Sequence, residues 1–442
     1  MKNPDFVKST TWTLATRLLI MLLTIVTGVV AARSLGPAGL GAFSEALVVP
    51  SLVSLFLQFG IGLANVYFIG REKYPADVLL GNALAVSVVT SLIVLPLYFA
   101  LLPFLLRTIA VGVEPIILVM IGGAIPLALV ARHLLYIFLG VQNIQEYNRL
   151  RLVRSGSNLL LILVFVVVLR MGVVGAVLAM MLGWFSMVLR GFWTLRKMMP
   201  VRLVWNRQVL KDCLGLGMKG YLANLFQFFN YRLDVLLLSF FLGVTAVGVY
   251  ATAVTAVEVL WYVPEAVATV LFPRTASTCN EEARSFTPAV SRNVFALTWI
   301  MGMLLALLSY PVVIIVFGER YEGSVFALQL LLPGVIALSL SKVLSSDLAG
   351  RGFLLYNTLS SFVGLVATVV FDIVLIPHWG INGAAVASSI SYFLSTLVVL
   401  GLYLRVSGNS IGNVLIPKRA DRLLYLTFWS RVSGLLSVDG GR

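Results

Sequence analysis

Apolar runs of about 20 residues, separated by short stretches carrying Pro, Gly and Arg, recur along the whole chain. A run of that length matches the thickness of a membrane, and in hydrocarbon only segments that satisfy their own backbone hydrogen bonds persist. Composition leaves these runs no other home. At 60% hydrophobic and 11% charged residues, a chain of 442 residues has too little polar surface to cover a soluble globule. The expected fold is an all-α integral membrane protein with about 12 transmembrane helices. Spans are predicted near 11–32, 40–63, 78–103, 113–140, 150–169 and 173–195, then 213–241, 247–272, 288–316, 324–349, 354–376 and 381–405. Turn chemistry separates them, as at Gly36-Pro37, Tyr74-Pro75, Glu114-Pro115 and Gly172. The first apolar run is not followed by a small-residue cleavage site, so it reads as a retained helix.

An internal repeat organises these spans. Gly36, Gly41, Phe43 and Ala46 align with Gly243, Gly248, Tyr250 and Ala253 at an offset of 207 residues. Gly172, Gly175 and Ala179 align with Gly380, Gly383 and Ala387 at 208, as do Pro103 and Pro311. Matches in one register and one order argue for duplication. They predict a lobe over 1–208 that ends in a basic linker, a second six-helix lobe over 209–406, and a short tail over 407–442. An even number of spans per lobe makes the relation a parallel repeat about an axis along the membrane normal.

The formal charge of +14 does not indicate nucleic acid, because the basic residues form no single domain or arm. They alternate between loops. Of 32 Lys and Arg, only Arg33, Arg107, Arg170 and Arg320 fall in the loops on one side, and Arg17, Arg132, Lys219 and Arg232 are set apart as lying within spans. The remainder marks the other side as cytoplasmic, with both termini there, as expected for the cell inner membrane. The linker from Arg196 to Arg207 reads as an orientation signal that is attracted to anionic lipid, or as a docking surface. In the tail, the short apolar stretch Leu423–Trp429 cannot span and suits an interfacial helix. Cys213 and Cys279 are solitary, as are His133 and His378, so neither a disulfide framework nor a metal site is indicated.

No Ser/His/Asp set, carboxylate pair or phosphate-cradling loop occurs in the short connections, so the sequence does not read as an enzyme. The chemistry lies in ionisable groups inside predicted spans. Each costs roughly 2.5–3.5 kcal/mol at a helix centre on insertion scales, so such groups face a wet interior. Arg17, Arg132, Lys219 and Arg232 imply a hydrated cavity of positive potential, although Arg17 and Lys219 also suit snorkelling to the surface. Asn224, Gln227 and Asn230 repeat every three residues on one helix face and suit either sugar hydroxyls or helix-to-helix bonding. Asp234, Glu258 and Glu45 are candidates for sodium or proton coupling, and no other cofactor is called for.

The connections 32–43 (ARSLGPAGLGAF) and 375–387 (LIPHWGINGAAVA), together with 240–250 (FFLGVTAVGVY), resemble the signatures of polysaccharide biosynthesis proteins. These are the Wzx-type lipid-linked oligosaccharide flippases of the multidrug/oligosaccharidyl-lipid/polysaccharide exporter superfamily. The resemblance covers essentially residues 8–406. It implies two six-helix lobes around a V-shaped cavity, alternating access, and export of an isoprenoid pyrophosphate-linked glycan, with a glycan polymerase and glycosyltransferases as partners. The family commonly has two extra C-terminal helices that this tail does not match. Guanidinium groups suit a pyrophosphate through paired charge-assisted bonds. A related multidrug and toxin exporter would favour an acidic, aromatic cavity, and a membrane glycan polymerase would need a large outward loop.

Overall fold

The computed structural model describes residues 4–108, 114–277, 280–416 and 418. The described chain is helical, and ten of its helices are long and apolar enough to cross a membrane. Two of these are each long enough for two spans. Helix α1 (Pro4–Gln58) has 55 residues and α13 (Leu354–Ser407) has 54, so each would run to about 80 Å if straight, against a hydrocarbon layer of about 30 Å. Each breaks at a glycine. Gly36 (φ 69°, ψ 177°) precedes Pro37, which has no amide hydrogen to donate, and Gly380 (φ 59°, ψ −135°) follows Pro377.

The break in α13 makes an antiparallel hairpin. Ser360 bonds Ser395, and Ser391 donates to the Gly364 carbonyl at 2.7 Å. Between these two long helices come α2 (Ile61–Gly70), α3 (Ala76–Thr108), α4 (Pro115–Gly140), α5 (Ile144–Ile162) with its π-helical extension to Val168, and α6 (Gly172–Met198). Next are α7 (Arg207–Leu242), α8 (Val244–Glu258), α9 (Tyr262–Ser277), α10 (Asn280–Leu307), α11 (Ser309–Val312) and α12 (Ser324–Gly350). A short α14 (Ile411–Leu415) closes the described chain. A 3-10 turn over Val259–Trp261 divides α8 from α9 within the single predicted span 247–272. Helix α7 starts earlier than predicted because the Asn206 side chain caps it, accepting from the amides of Gln208 and Val209.

Glycines aligned by the repeat have matching backbones. Gly36 and Gly243 share an extended, positive-φ conformation (69°, 177° and 81°, 174°), and Gly172 and Gly380 share φ 59°. At this glycine end the lobes meet reciprocally. A Cβ on Gly41 would overlap the Val244 carbonyl oxygen, and one on Gly248 would overlap that of Pro37, each contact the image of the other at the 207 offset. Arg33 adds bonds from its guanidinium to the carbonyls of Ile315 and Val316 (2.8 Å to the latter), and the Tyr321 hydroxyl donates to Ala32 O at 2.7 Å.

The core is distributed accordingly. One apolar cluster joins Ala32, Phe43 and Ala46 to Val247, Tyr250, Ala253 and Tyr321 across the lobes at the glycine end. Toward the opposite, basic end the clusters separate, one around Leu134 and Leu195 and others around Leu344, Tyr403 and Leu271. Helix α7 does not respect the 208/209 boundary expected from sequence. Its first half packs on the N-terminal lobe, with Cys213 in the Leu134 cluster, the Tyr221 hydroxyl donating to Leu55 O at 2.8 Å, and Gly217 in close backbone contact with Gly60. The apolar stretch at 423–429 and Cys279 lie outside the described residues.

Candidate functional site

Because the lobes share a core at one end and diverge at the other, a cavity of about 1110 Å³ opens between them. Its wall reaches Ala349 and Leu354, beside the turn at 350–353 at the basic end. A second chamber of about 470 Å³ lies toward the glycine end and shares Thr24, Arg154, Ser155, Tyr231 and Tyr262 with the first.

The predicted cations divide between the two chambers. Arg17 of α1 lines the larger one and donates to Thr269 Oγ1 of α9 at 2.8 Å, reaching across the lobes. Arg132 of α4 and Arg232 of α7 line the smaller. Arg132 donates to the Ser51 carbonyl at 3.5 Å, while Arg232 pairs with Glu258 Oε1 at 3.2 Å. The backbone of Lys219 lies in α7, and its side chain falls outside what the structure describes. The four cations expected to form one site are therefore not one described cluster: three are described, and they are shared between two connected chambers.

Three further cations line the larger cavity. Arg151 and Arg154 project from the middle of α5, and Lys342 comes from the second half of α12. Charge counting by loops absorbed all three into the basic side. For the arginines that is natural, because they lie at the predicted start of a span. Lys342 lies inside the predicted span 324–349, where an isolated cation was a usable signal. Lys342 pairs with Glu265 at 2.6 Å and sits 4.9 Å from the centre of the Trp261 ring and 5.6 Å from that of Tyr231. Arg154 has no carboxylate partner among the described residues, its nearest organised contact being the Trp184 ring at 5.9 Å. Four described cations against the single carboxylate of Glu265 leave the larger cavity basic.

The polar stripe of α7 faces this cavity. Asn224 and Gln227 line it, with Gln227 Nε2 donating to the Tyr231 hydroxyl at 3.1 Å. Asn230 is buried, and its Oδ1 accepts from Thr368 and Ser391, each at 2.6 Å. The stripe thus splits into two exposed amides and one that ties α7 to the α13 hairpin.

One turn beyond Asn230, Asp234 is buried and borders the smaller chamber. It accepts from the Tyr250 hydroxyl at 2.7 Å and from Ser388 at 3.4 Å. Asp372 of α13 is also fully buried, with neither carboxylate oxygen hydrogen-bonded among the described residues. Glu45 of α1 is buried and bonded to Ser239 of α7, with its Oε1 unpartnered. No group of three or more His, Cys, Asp or Glu suited to a metal occurs among the described residues.

A helical, two-lobed membrane protein with a basic cavity between its lobes has the build of a transporter. The profile of the polysaccharide biosynthesis protein family matches residues 6–279, and the chain belongs to that family. An uncharacterised membrane protein of Methanocaldococcus jannaschii is 24% identical over 88% of this chain and 82% of its own length. The probable low-salt glycan biosynthesis flippase Agl15 of Haloferax volcanii is 25% identical over 45% of this chain and 46% of its own. The capsular polysaccharide biosynthesis protein CapF of Staphylococcus aureus is 21% identical over 84% and 92%. Among solved structures, the lipid II flippase MurJ in an inward closed conformation superposes with a TM-score of 0.71 at 14% identity, over 96% of this chain and 95% of that one. An inward-facing multidrug resistance MATE family transporter of the MOP superfamily gives 0.70 at 18%, over 89% and 98%. At such identities these structures speak for the fold.

Proposed function

We propose that the protein is a flippase that carries an isoprenoid pyrophosphate-linked oligosaccharide from the cytoplasmic to the outer leaflet by alternating access, for cell-surface polysaccharide synthesis. The observation that carries this reading is the pair of connected, basic chambers between lobes sealed at the glycine end. A pyrophosphate cannot cross hydrocarbon unaided, and guanidinium groups offer it paired donors in place of water. Arg17, Arg132, Lys219 and Arg232 hold the head group along its path, and Asn224 and Gln227 bond sugar hydroxyls. The isoprenoid chain remains in lipid.

The basic loops orient the larger cavity toward the cytoplasm, with both termini on that side of the cell membrane. A glycan polymerase and glycosyltransferases are the proposed partners. Asp234, Glu258 and Glu45 remain the proposed coupling groups, and Asp234, buried at the edge of the smaller chamber, is the one favoured to take up a proton or sodium. The same buried acids and the Tyr231, Trp261 and Tyr392 cluster support a second reading, a multidrug exporter of organic cations.

Transfer of polyprenyl-pyrophosphate-linked oligosaccharide in proteoliposomes tests the first reading. Arg132→Gln or Lys219→Gln alone is expected to abolish transfer at unchanged protein level, and full activity in both removes the reading. Organic-cation transport without glycan transfer would establish the second. Asp234→Asn is expected to abolish the dependence of transport on a sodium or proton gradient, and an unchanged dependence excludes Asp234.

A further inference from the structure

The larger cavity is chemically two-sided. Its wall from the N-terminal lobe holds Arg17, Arg151 and Arg154 with no carboxylate, amide or aromatic ring among the described residues. Its wall from the C-terminal lobe holds every lining amide and ring, and its one described cation, Lys342, is neutralised by Glu265. Two of the amides are available to a ligand: Asn224 and Gln227 are exposed to the cavity, whereas Asn357 donates to Ser345 O at 2.9 Å and its Oδ1 is buried. Tyr262 stands on the same wall.

These walls suit different halves of one molecule. A dianionic pyrophosphate needs uncompensated guanidinium groups. A glycan needs amides that both donate and accept, with an aromatic face nearby. Besides its guanidinium groups the N-terminal wall offers only the hydroxyls of Thr24 and Ser155, a sparser set of donors and acceptors for telling one sugar from another.

Building on the flippase reading above, we infer that the two lobes divide the substrate: Arg151 and Arg154 grip the pyrophosphate, and the C-terminal wall, through Asn224 and Gln227, reads the glycan. Glycan selectivity then resides in the second half of the chain, whereas in the larger cavity the carrier pyrophosphate is held by the first. Arg154, which borders both chambers, keeps hold of the pyrophosphate as it advances.

Binding to the purified full-length protein tests this with two probes, undecaprenyl pyrophosphate bearing no sugar and the lipid-linked oligosaccharide fraction extracted from the source membranes. Arg154→Gln, and separately Arg151→Gln, is expected to weaken both probes at least about tenfold, the loss of one charge-assisted bond. The double variant Asn224→Ala, Gln227→Ala is expected to bind the sugar-free carrier as the wild type does, while losing the added affinity that the glycan confers. Asn224→Ala alone serves as a second variant should the double fail to fold, with the same sign expected. Equal weakening of both probes by the amide variants, or unchanged carrier binding in the arginine variants, overturns the division. A wild-type protein that binds neither probe overturns the flippase reading beneath it.

Discussion

Arg351 and Asp347 show what a charged pair costs when no ligand needs it. Their side chains are 4% and 0% exposed and meet at 2.6 Å, and Asp347 also accepts from Thr287 at 2.7 Å and Thr275 at 3.3 Å. Everything about Asp347 is satisfied, so it is a structural joint between α9, α10 and α12. Asp347→Ala would strand a buried guanidinium and is expected to cost about 3–5 kcal/mol, read as a fall in thermal stability in detergent with no change in ligand selectivity. Arg154 is the converse, a cation exposed to the cavity with no carboxylate to satisfy it. Arg154→Gln should leave thermal stability nearly unchanged while impairing transport. The sequence exposed Arg17, Arg132 and Arg232 as buried-span charges, yet it hid Arg151 and Arg154, because a cation at the start of a span reads equally as a loop residue until the helix is placed beside a cavity.

At the scale of elements, the glycine contacts between the α1 segment after Gly36 and α8 decide how the lobes close. Gly41 and Gly248 allow backbone to approach backbone, and any side chain there must push the lobes apart. Gly41→Leu or Gly248→Leu is therefore expected to open the glycine end. Cysteines placed near it would become reactive to an impermeant thiol reagent, and transport would stop. Unchanged reactivity would show that this seam does not gate the cavity.

At the basic end, Lys73 and Tyr74 grip Asp212 at 2.5 and 2.7 Å, tying the loop after α2 to the start of α7. The bond from Lys73 holds the Asp212 carboxyl below its ordinary range and raises the ammonium of Lys73. A depressed carboxyl pKa stabilises the tie above the ordinary value of about 4, and protonation removes it as pH falls further. Hydrogen exchange at the start of α7 should accelerate below that pH, and in Asp212→Asn the acceleration should be present already at neutral pH.

For the whole molecule, one end shares a core and the other does not, so closing the cavity means pivoting the lobes. Spin labels at Glu72 and Phe353, exposed at the basic-end turns of opposite lobes, are expected to approach on glycan-carrier binding while a pair spanning the glycine end separates. Distances that shift together in the same sense would exclude such a pivot.

The sequence by itself determined the membrane-spanning class, the places where α1 and α13 turn back, and the basic character of the interior. Hydropathy, Gly-Pro chemistry and the cost of burying charge act locally, and each leaves its mark on consecutive residues. Only the tertiary structure decided which cations share a chamber, that Arg232 is taken by Glu258, that Asn230 serves the α13 hairpin while Asn224 and Gln227 face the cavity, and that α7 packs on both lobes. Those outcomes depend on which helix faces meet across more than a hundred residues of chain, and a periodic pattern on one helix carries no information about its partner.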